Sequence, residues 1–372
     1  VRMWIHERDV LAIAQGAEYL GSGGGGISPI LQGLTARAVA EYGPVPLVPA
    51  FELNDQDWIV PVSFIGSPLM FNEKFMTGFE VVEALRELER VRGIQAAGLT
   101  TLEIGGLNAL TPIFTAAMTR LPVIDCDGMG RAFPQLQMTS FHAFDIPASP
   151  FVFCSDRGQC NLLENATSWQ IEEALRANVL MMGGWAVCSG YSMQARRLKE
   201  SAFLQSYSVC LGLGEAVIAS GGDIHRFFAS MEQTFQSSLY GKPVKIIEGK
   251  VVDLQREIRD GLLSGQLIVQ GTGSHIAEQV EVSFLTEFTQ VKRGGKTLVT
   301  VPDLICILDA DTAEPIMIED LENHYKVWVI AIPCPYLMRH PKMLEVVGPA
   351  SFGIASDYVP VDQRWQQGEV MK

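Results

Sequence analysis

The chain is 372 residues long, 48% hydrophobic and 19% charged, with 28 basic against 42 acidic side chains and a formal net charge of −14. That composition supports a large core and argues against disorder, and the length suggests two domains. The acidic balance disfavours nucleic acid as a partner, and no apolar run is long and unbroken enough to span a bilayer.

The first residues lack the basic-then-apolar pattern of a signal peptide, and the seven Cys are scattered without a CxxC. A cytoplasmic protein with reduced, mostly buried thiols is expected. Residues 8–20 read as a helix, with Asp9 as cap and Val10, Ile13, Ala14 and Ala17 on one face. It stops at Gly21-Ser22-Gly23-Gly24-Gly25-Gly26, and Pro29 opens a second helix to about residue 41. Consecutive glycines allow close backbone approach to a ligand, and N–H groups feeding a helix N-terminus favour an anion. Gly23, Gly24, Gly25 and Gly26 are therefore candidate substrate-binding residues, with a tightly packed turn as the other reading. No Gly-Lys-Ser/Thr follows, so this is not a P-loop.

A strand is expected at 57–64, and a helix at 79–91 with Val82, Leu85, Leu88 and Val91 inward. The stretch 100–127 reads as strand, helix, strand: 100–104 running into Gly105-Gly106, a helix over 111–120, and 121–124 leading to Asp125 and Asp127. In such units polar groups gather at the carboxyl ends of strands. Glu103, Asn108, Asp125, Asp127 and Arg131 would then converge on one edge, the expected active-site edge. Asp125 and Asp127 are expected to face opposite ways, sharing a face only through a turn at Gly128. Either carboxylate is a candidate base, and Arg131 would pair with one of them or bind an anionic substrate group. A carboxylate crowded by the others would have a raised pKa and could serve as general acid or base, with Glu103 and Asn108 orienting the substrate. Cys126 is read as a space-filling thiol rather than a nucleophile.

Further on, 151–154 is a strand, 167–177 a helix, 179–182 an apolar strand ending in Gly183-Gly184, and 191–220 mainly helical with Gly212 and Gly214 at close-packing positions. From about residue 242 the texture becomes β-rich, with runs at 245–247, 250–254, 266–270, 279–285, 297–301, 304–308 and 326–332. Many short strands with turn signals argue for a barrel or sandwich. The expected division is 1–240, α/β, and 241–372, β-rich. His275 reads as a solvated loop histidine, with a substrate-binding proton donor overhanging the cleft between them as the functional alternative, and Asp303 is read as capping a turn. No HxH or HExxH occurs. The cofactor is left open, a divalent metal held by distant residues such as Asp127, Cys126 and His275 being the alternative considered.

The glycine run, Glu103-Ile104-Gly105-Gly106-Leu107-Asn108, Asp125-Cys126-Asp127-Gly128-Met129-Gly130-Arg131-Ala132-Phe133-Pro134, Val301-Pro302-Asp303-Leu304-Ile305 and Gly348-Pro349-Ala350-Ser351-Phe352-Gly353 occur in this order. Together they resemble the S-methyl-thiohydantoin desulfurase-like family, whose members are often encoded beside hydantoinases and oxoprolinases. The resemblance implies an N-terminal three-layer α/β domain followed by a C-terminal β-barrel-like domain. It also implies a hydrolase acting on a small hydantoin-like ring, with loss of methanethiol. The sequence differs from the family pattern at Ile27-Ser28, Gln135 and Thr286. A non-catalytic ligand-binding or accessory subunit with a hydantoinase-type partner is accordingly the alternative function. Homo-oligomerisation is the general expectation for such a chain.

Overall fold

The computed structural model describes residues 3–26, 28–66, 68–74, 76–259 and 261–366; Ile27 lies outside them. One large sheet collects Met3–Ile5 (β1), Val45–Val48 (β2), Trp58–Gly66 (β3), Ala96–Thr101 (β4), Val123–Asp127 (β5), Phe151–Cys154 (β6), Cys160–Leu163 (β7) and Trp185–Ser189 (β8). Its order is β1-β2-β5-β4-β3-β8-β6-β7. The central strands β2, β5, β4 and β3 run parallel, and the flanking strands pair antiparallel. Two short strands, Met193–Gln194 (β9) and Phe203–Leu204 (β10), attach to β3 and β5.

Helices Glu7–Leu20 (α1), Pro29–Tyr42 (α2), Pro68–Glu73 (α3), Phe79–Arg92 (α4), Leu110–Thr119 (α5), Ser140–Ala143 (α6), Ser168–Met181 (α7), Ala195–Ser201 (α8), Ser206–Ser220 (α9) and Ile224–Gln236 (α10) surround it. Alternate strand residues point to opposite faces, so the sheet serves two cores. Val60, Val62, Leu99 and Val123 join residues of α1, α2, α4, α5 and α9 in one. Ile59, Ile124 and Cys126 join Phe141 and residues of α7 and α8 in the other. The α1–α9 crossing is close: a Cβ on Gly16 would lie 1.7 Å from the Cys210 carbonyl oxygen, and one on Gly214 1.8 Å from that of Ala12.

Val244–Arg259 (β11), Leu262–Gly271 (β12), Gln279–Leu285 (β13), Glu287–Arg293 (β14), Lys296–Thr300 (β15), Leu304–Asp309 (β16) and Lys326–Ile332 (β17) form a second, antiparallel sheet, which curls into a half-barrel. Strands β16 and β17 read as unbroken apolar runs because both faces are covered. Ile305, Ile307, Val327 and Val329 line the core of the curled sheet, whereas Leu304, Cys306, Trp328 and Ile330 join the core of the helical half. The two halves therefore share buried surface along these strands.

Several local expectations are corrected. Asp9 caps α1 from its first turn rather than from its end: the N-cap is His6, whose N–H donates to Asp9 Oδ2 at 2.8 Å. The inward residues of α4 are Val81, Ala84, Leu85 and Leu88, with Val82 and Val91 only half-buried. Residues 179–182 are not a strand; they end α7, leaving Leu180 and Met181 exposed, and the strand follows the glycines as β8. Strand β4 stops at Thr101, so 102–104 leave the sheet. The runs at 245–247 and 250–254 are one strand, β11, and β14 was not foreseen. Cys154 and Cys160, cross-strand partners on β6 and β7, form a disulfide, which corrects the expectation of wholly reduced thiols; the other five cysteines are free and buried. Among the described residues no helix is long and apolar enough to cross a membrane.

Candidate active site

The loops after β4 and β5 meet the glycine run and the start of β14 at the seam between the halves. Asp127 is fully buried, and its Oδ2 accepts three backbone N–H groups: Ile104 at 3.0 Å, Met129 at 2.9 Å and Gly130 at 2.8 Å. One carboxyl oxygen thus fastens the 102–106 loop to the 128–131 loop. Its Oδ1 has no hydrogen-bond partner among the described residues. Burial outweighs the three N–H donors and lifts this carboxyl to about 7.

Asp125 and Asp127 share a face of β5, contrary to expectation and without any turn. Residues two apart in a strand point the same way. Asp125 Oδ1 accepts the Ser208 N–H at 3.1 Å, and Oδ2 accepts the Ser208 hydroxyl at 2.5 Å. The carboxyl closes the first turn of α9, where orphan N–H groups and the helix dipole favour an acceptor. Burial raises its pKa, and the bonds to Ser208 oppose the rise.

Arg131 is fully buried, which corrects its expected role as a substrate anchor. Nη1 donates to the Asp303 carbonyl at 2.9 Å, Nη2 to the Phe288 carbonyl at 3.4 Å and Nε to the Ala132 carbonyl at 3.1 Å. The guanidinium stacks on Phe133, 4.8 Å from the ring centroid. Its fork is engaged by main-chain carbonyls of both halves. The Asp303 carboxylate meanwhile accepts the N–H groups of Cys334 and Val361 and the hydroxyl of Tyr358, so it ties together segments distant in the chain rather than capping a turn, which corrects that expectation. Asn108 Oδ1 accepts the Phe64 N–H at 2.6 Å and is largely covered.

His275 is not brought to this place. It sits in the β12–β13 connection, Nδ1 3.2 Å from Glu278 Oε1. The β13–β14 connection at Thr286 is at the opposite end of the seven-residue strand β13. At ~3.3 Å per residue that separation is about 20 Å. The zinc alternative fails with it, because Cys126 faces the α7–α8 core while Asp127 faces α9, and His275 is remote. Among the described residues no group of three or more His, Cys, Asp and Glu side chains is arranged to hold a metal ion.

The glycine run is packed as well as approachable. Gly25 accepts the Leu107 N–H at 3.1 Å, and Gly106 sits so close that a Cβ on it would be 2.3 Å from the Gly25 oxygen. A Cβ on Gly24 would lie 2.5 Å from Glu287 Oε1. The packing supports the reading of a tight turn, a junction of backbones with one edge against a carboxyl.

That carboxyl is the residue the sequence reading did not select. Glu287 opens β14, is buried, and accepts the Thr286 hydroxyl on Oε2. Burial raises it to about 7, against the opposing effects of Thr286 and Arg131. Glu103, half-exposed beyond β4, is raised well above the usual carboxylate range, first by burial and then by the nearby charges of Glu287 and Asp127. Two acids from different halves thus feel each other beside the half-exposed Gly24, Gly25 and Gly26. Like charges so placed resist ionising together. In the sequence, Glu287 carried only one signal: an acid directly after the Thr286 turn, at the start of a strand with a buried face.

Family sequence profiles decide the kinship. The profile of the S-Me-THD-like N-terminal domain matches residues 8–165, and that of the S-Me-THD-like C-terminal domain matches residues 165–361. The chain belongs to the S-Me-THD-like family. The S-Me-THD-like profiles divide the chain at residue 165, inside the large sheet, rather than between the two sheets. The fold is similar to the crystal structure of a protein from Chromobacterium violaceum, with 21% identity, a TM-score of 0.78, and coverage of 97% of this chain and 100% of that one. Comparison with curated proteins gave no match.

Proposed function

We propose that this protein is a hydrolase acting on a small hydantoin-like ring, removing methanethiol from an S-methyl-thiohydantoin, with Glu103 and Glu287 as its acid–base pair. The observation that carries this reading is the packing of the buried Glu287 carboxyl against Gly24, with Glu103 of the other half near enough for the Glu287 charge to raise its pKa. Family membership supports the substrate class.

The reaction needs a base for water, an acid for the leaving thiolate and little else. Water attacks the ring carbon that bears sulfur, and the ionised member of the pair takes the water proton. The C–S bond then breaks, the protonated member supplies the proton to sulfur, and the second water proton passes from the new hydroxyl to the ring nitrogen that had shared the C=N bond, so that the C–O bond becomes a carbonyl. A pair that shares one proton would have both forms at hand. Asp125, Asp127 and Arg131 act through structure: Asp127 fixes the loop that carries Glu103, Asp125 closes the first turn of α9, and Arg131 ties its own loop to β14.

The test is thiol release from an S-methyl-thiohydantoin by the purified chain, with ring opening read separately and with a chelator arm. Release that Glu103→Gln and Glu287→Gln each reduce by about a hundredfold, in folded protein, is the expected result for loss of a general acid or base. Full activity in either variant removes that residue from the mechanism. No turnover in a folded, metal-replete sample shifts the reading to an accessory subunit of a hydantoinase-type system.

A further inference from the structure

A second cleft, of about 560 Å³, opens away from the acid pair. Trp58, at the start of β3, lines it, and so does Arg92, at the end of α4. Trp58 pairs with Ala96, the first residue of the parallel strand β4, whereas Glu103 follows the last residue of β4. The cleft and the acid pair therefore lie at opposite edges of the sheet.

Its walls are apolar at Trp58, Phe144 and Met193, and its cations are Arg92, Arg197 and Lys342. The two acids on the lining have partners. Asp145 holds Lys342 at 2.6 Å, and Glu200 is 3.9 Å from Arg196. The two arginines hydrogen-bond no carboxylate, although Arg197 is near enough to Asp145 to help hold its pKa down. Arg92 stacks 5.3 Å from the Trp58 ring centroid and gives Nε to the Ser192 hydroxyl at 3.3 Å. Arg197 gives Nη2 to the Phe144 carbonyl at 2.7 Å. Among the described residues neither guanidinium meets a carboxylate, in a chain with 42 acids for 28 bases. Each uses one of five donors there, and the planar fork matches carboxylate or phosphate. Lys342 adds positive charge at the rim, tempered by Asp145. The volume is that of ordinary small-ligand pockets.

We infer that this cleft binds a small aromatic anion, its ring against Trp58, Phe144 and Met193 and its carboxylate or phosphate on Arg92 and Arg197. The site is independent of the acid pair and of the reaction proposed there.

Calorimetric titration of the full chain at low ionic strength tests it, with benzoate and adenosine monophosphate as probes and benzamide and adenosine as uncharged counterparts. At least one anion is expected to bind with a Kd below about 1 mM, its uncharged counterpart about tenfold weaker or worse. The benzoate and nucleotide arms tell carboxylate from phosphate. Arg92→Gln and Arg197→Gln should each weaken binding by about tenfold, a difference of about 1.4 kcal/mol, with unchanged circular dichroism. Glu287→Gln should bind as the parent does. The inference is overturned by absence of binding of both anions up to about 10 mM, by equal binding of the uncharged forms, by binding that both arginine variants retain, or by binding lost in Glu287→Gln.

Discussion

Arg131 Nη1 donates to the main-chain carbonyl of Asp303 at 2.9 Å, joining residues 172 positions apart in the chain. The partner is a carbonyl rather than the Asp303 carboxylate, and Phe288 and Ala132 supply the other two acceptors. Removing the guanidinium strands buried carbonyls of both halves at once. Arg131→Met is expected to cost about 3 kcal/mol of stability or more, and Arg131→Lys nearly as much, because an ammonium cannot reproduce the planar fork. Urea denaturation checks this. A stable Arg131→Met with only a raised KM would return the residue to substrate binding.

Asp127 separates a structural carboxylate from a reacting one. Asp127→Asn keeps an acceptor oxygen for Ile104, Met129 and Gly130, so it should cost about 1 kcal/mol and leave turnover within a fewfold of the parent. Asp127→Ala leaves three buried N–H groups without an acceptor and should cost about 3 kcal/mol or more. Melting curves and thiol release on the same samples distinguish the cases. An Asp127→Asn protein that melts normally but is inactive would make Asp127 a reacting group after all.

The acid pair makes stability fall as pH rises. Glu287 has a folded pKa of about 7 against an ordinary 4.5. Between those values the unfolded chain has given up its proton while the folded chain retains it, so the unfolded state gains relative stability with rising pH. Below the window there is no penalty, and above about 7 it is complete. Glu18 at the end of α1, raised to about 8 by burial and by Glu314 and Asp320, adds in the same direction. The Tm should therefore be lower at pH 8.5 than at pH 5, and Glu287→Gln should recover part of the difference. At ~1.4 kcal/mol per pKa unit the Glu287 share is about 3 kcal/mol at most. A Tm that does not fall over this range would show that these carboxyls ionise as they do in the unfolded chain.

Gly24 tests the contact with Glu287. A methyl group there would lie 2.5 Å from Oε1 and 2.8 Å from the Thr286 carbonyl oxygen, so both the carboxyl and the turn before β14 must yield. Gly24→Ala is expected to lower kcat about tenfold or more at a stability cost near 1 kcal/mol. Gly106→Ala, by contrast, meets the Gly25 carbonyl at 2.3 Å from a backbone with φ of +70° and should cost several times as much. Equal loss of stability in both variants would mean that Glu287 is not free to move.

Apolar periodicity and turn residues by themselves determined most elements. The spans of β6, β13 and β17 and the faces of α1 follow from alternation, a 3.6-residue period and bounding glycines, because those signals are local. They also placed the loops after the central parallel strands at the site. They failed at residues 179–182, where a short apolar run fits a helix end as well as a strand, and at β14, whose polar residues mask its alternation.

Only the tertiary structure decided which charges are spent. Nothing local distinguishes Arg131 with three carbonyls from Arg131 with a substrate, or Asp125 capping α9 from Asp125 activating water; the Ser208 donors and the carbonyl acceptors of Phe288 and Asp303 arrive from distant parts of the chain. Glu287 and Glu103 meet for the same reason. Burial raises both pKa values and the Glu287 charge raises that of Glu103 further, effects that exist only once the two sheets share the core along β16 and β17. The sequence supplied the acids and the glycines; the fold chose which pair of acids would be brought together.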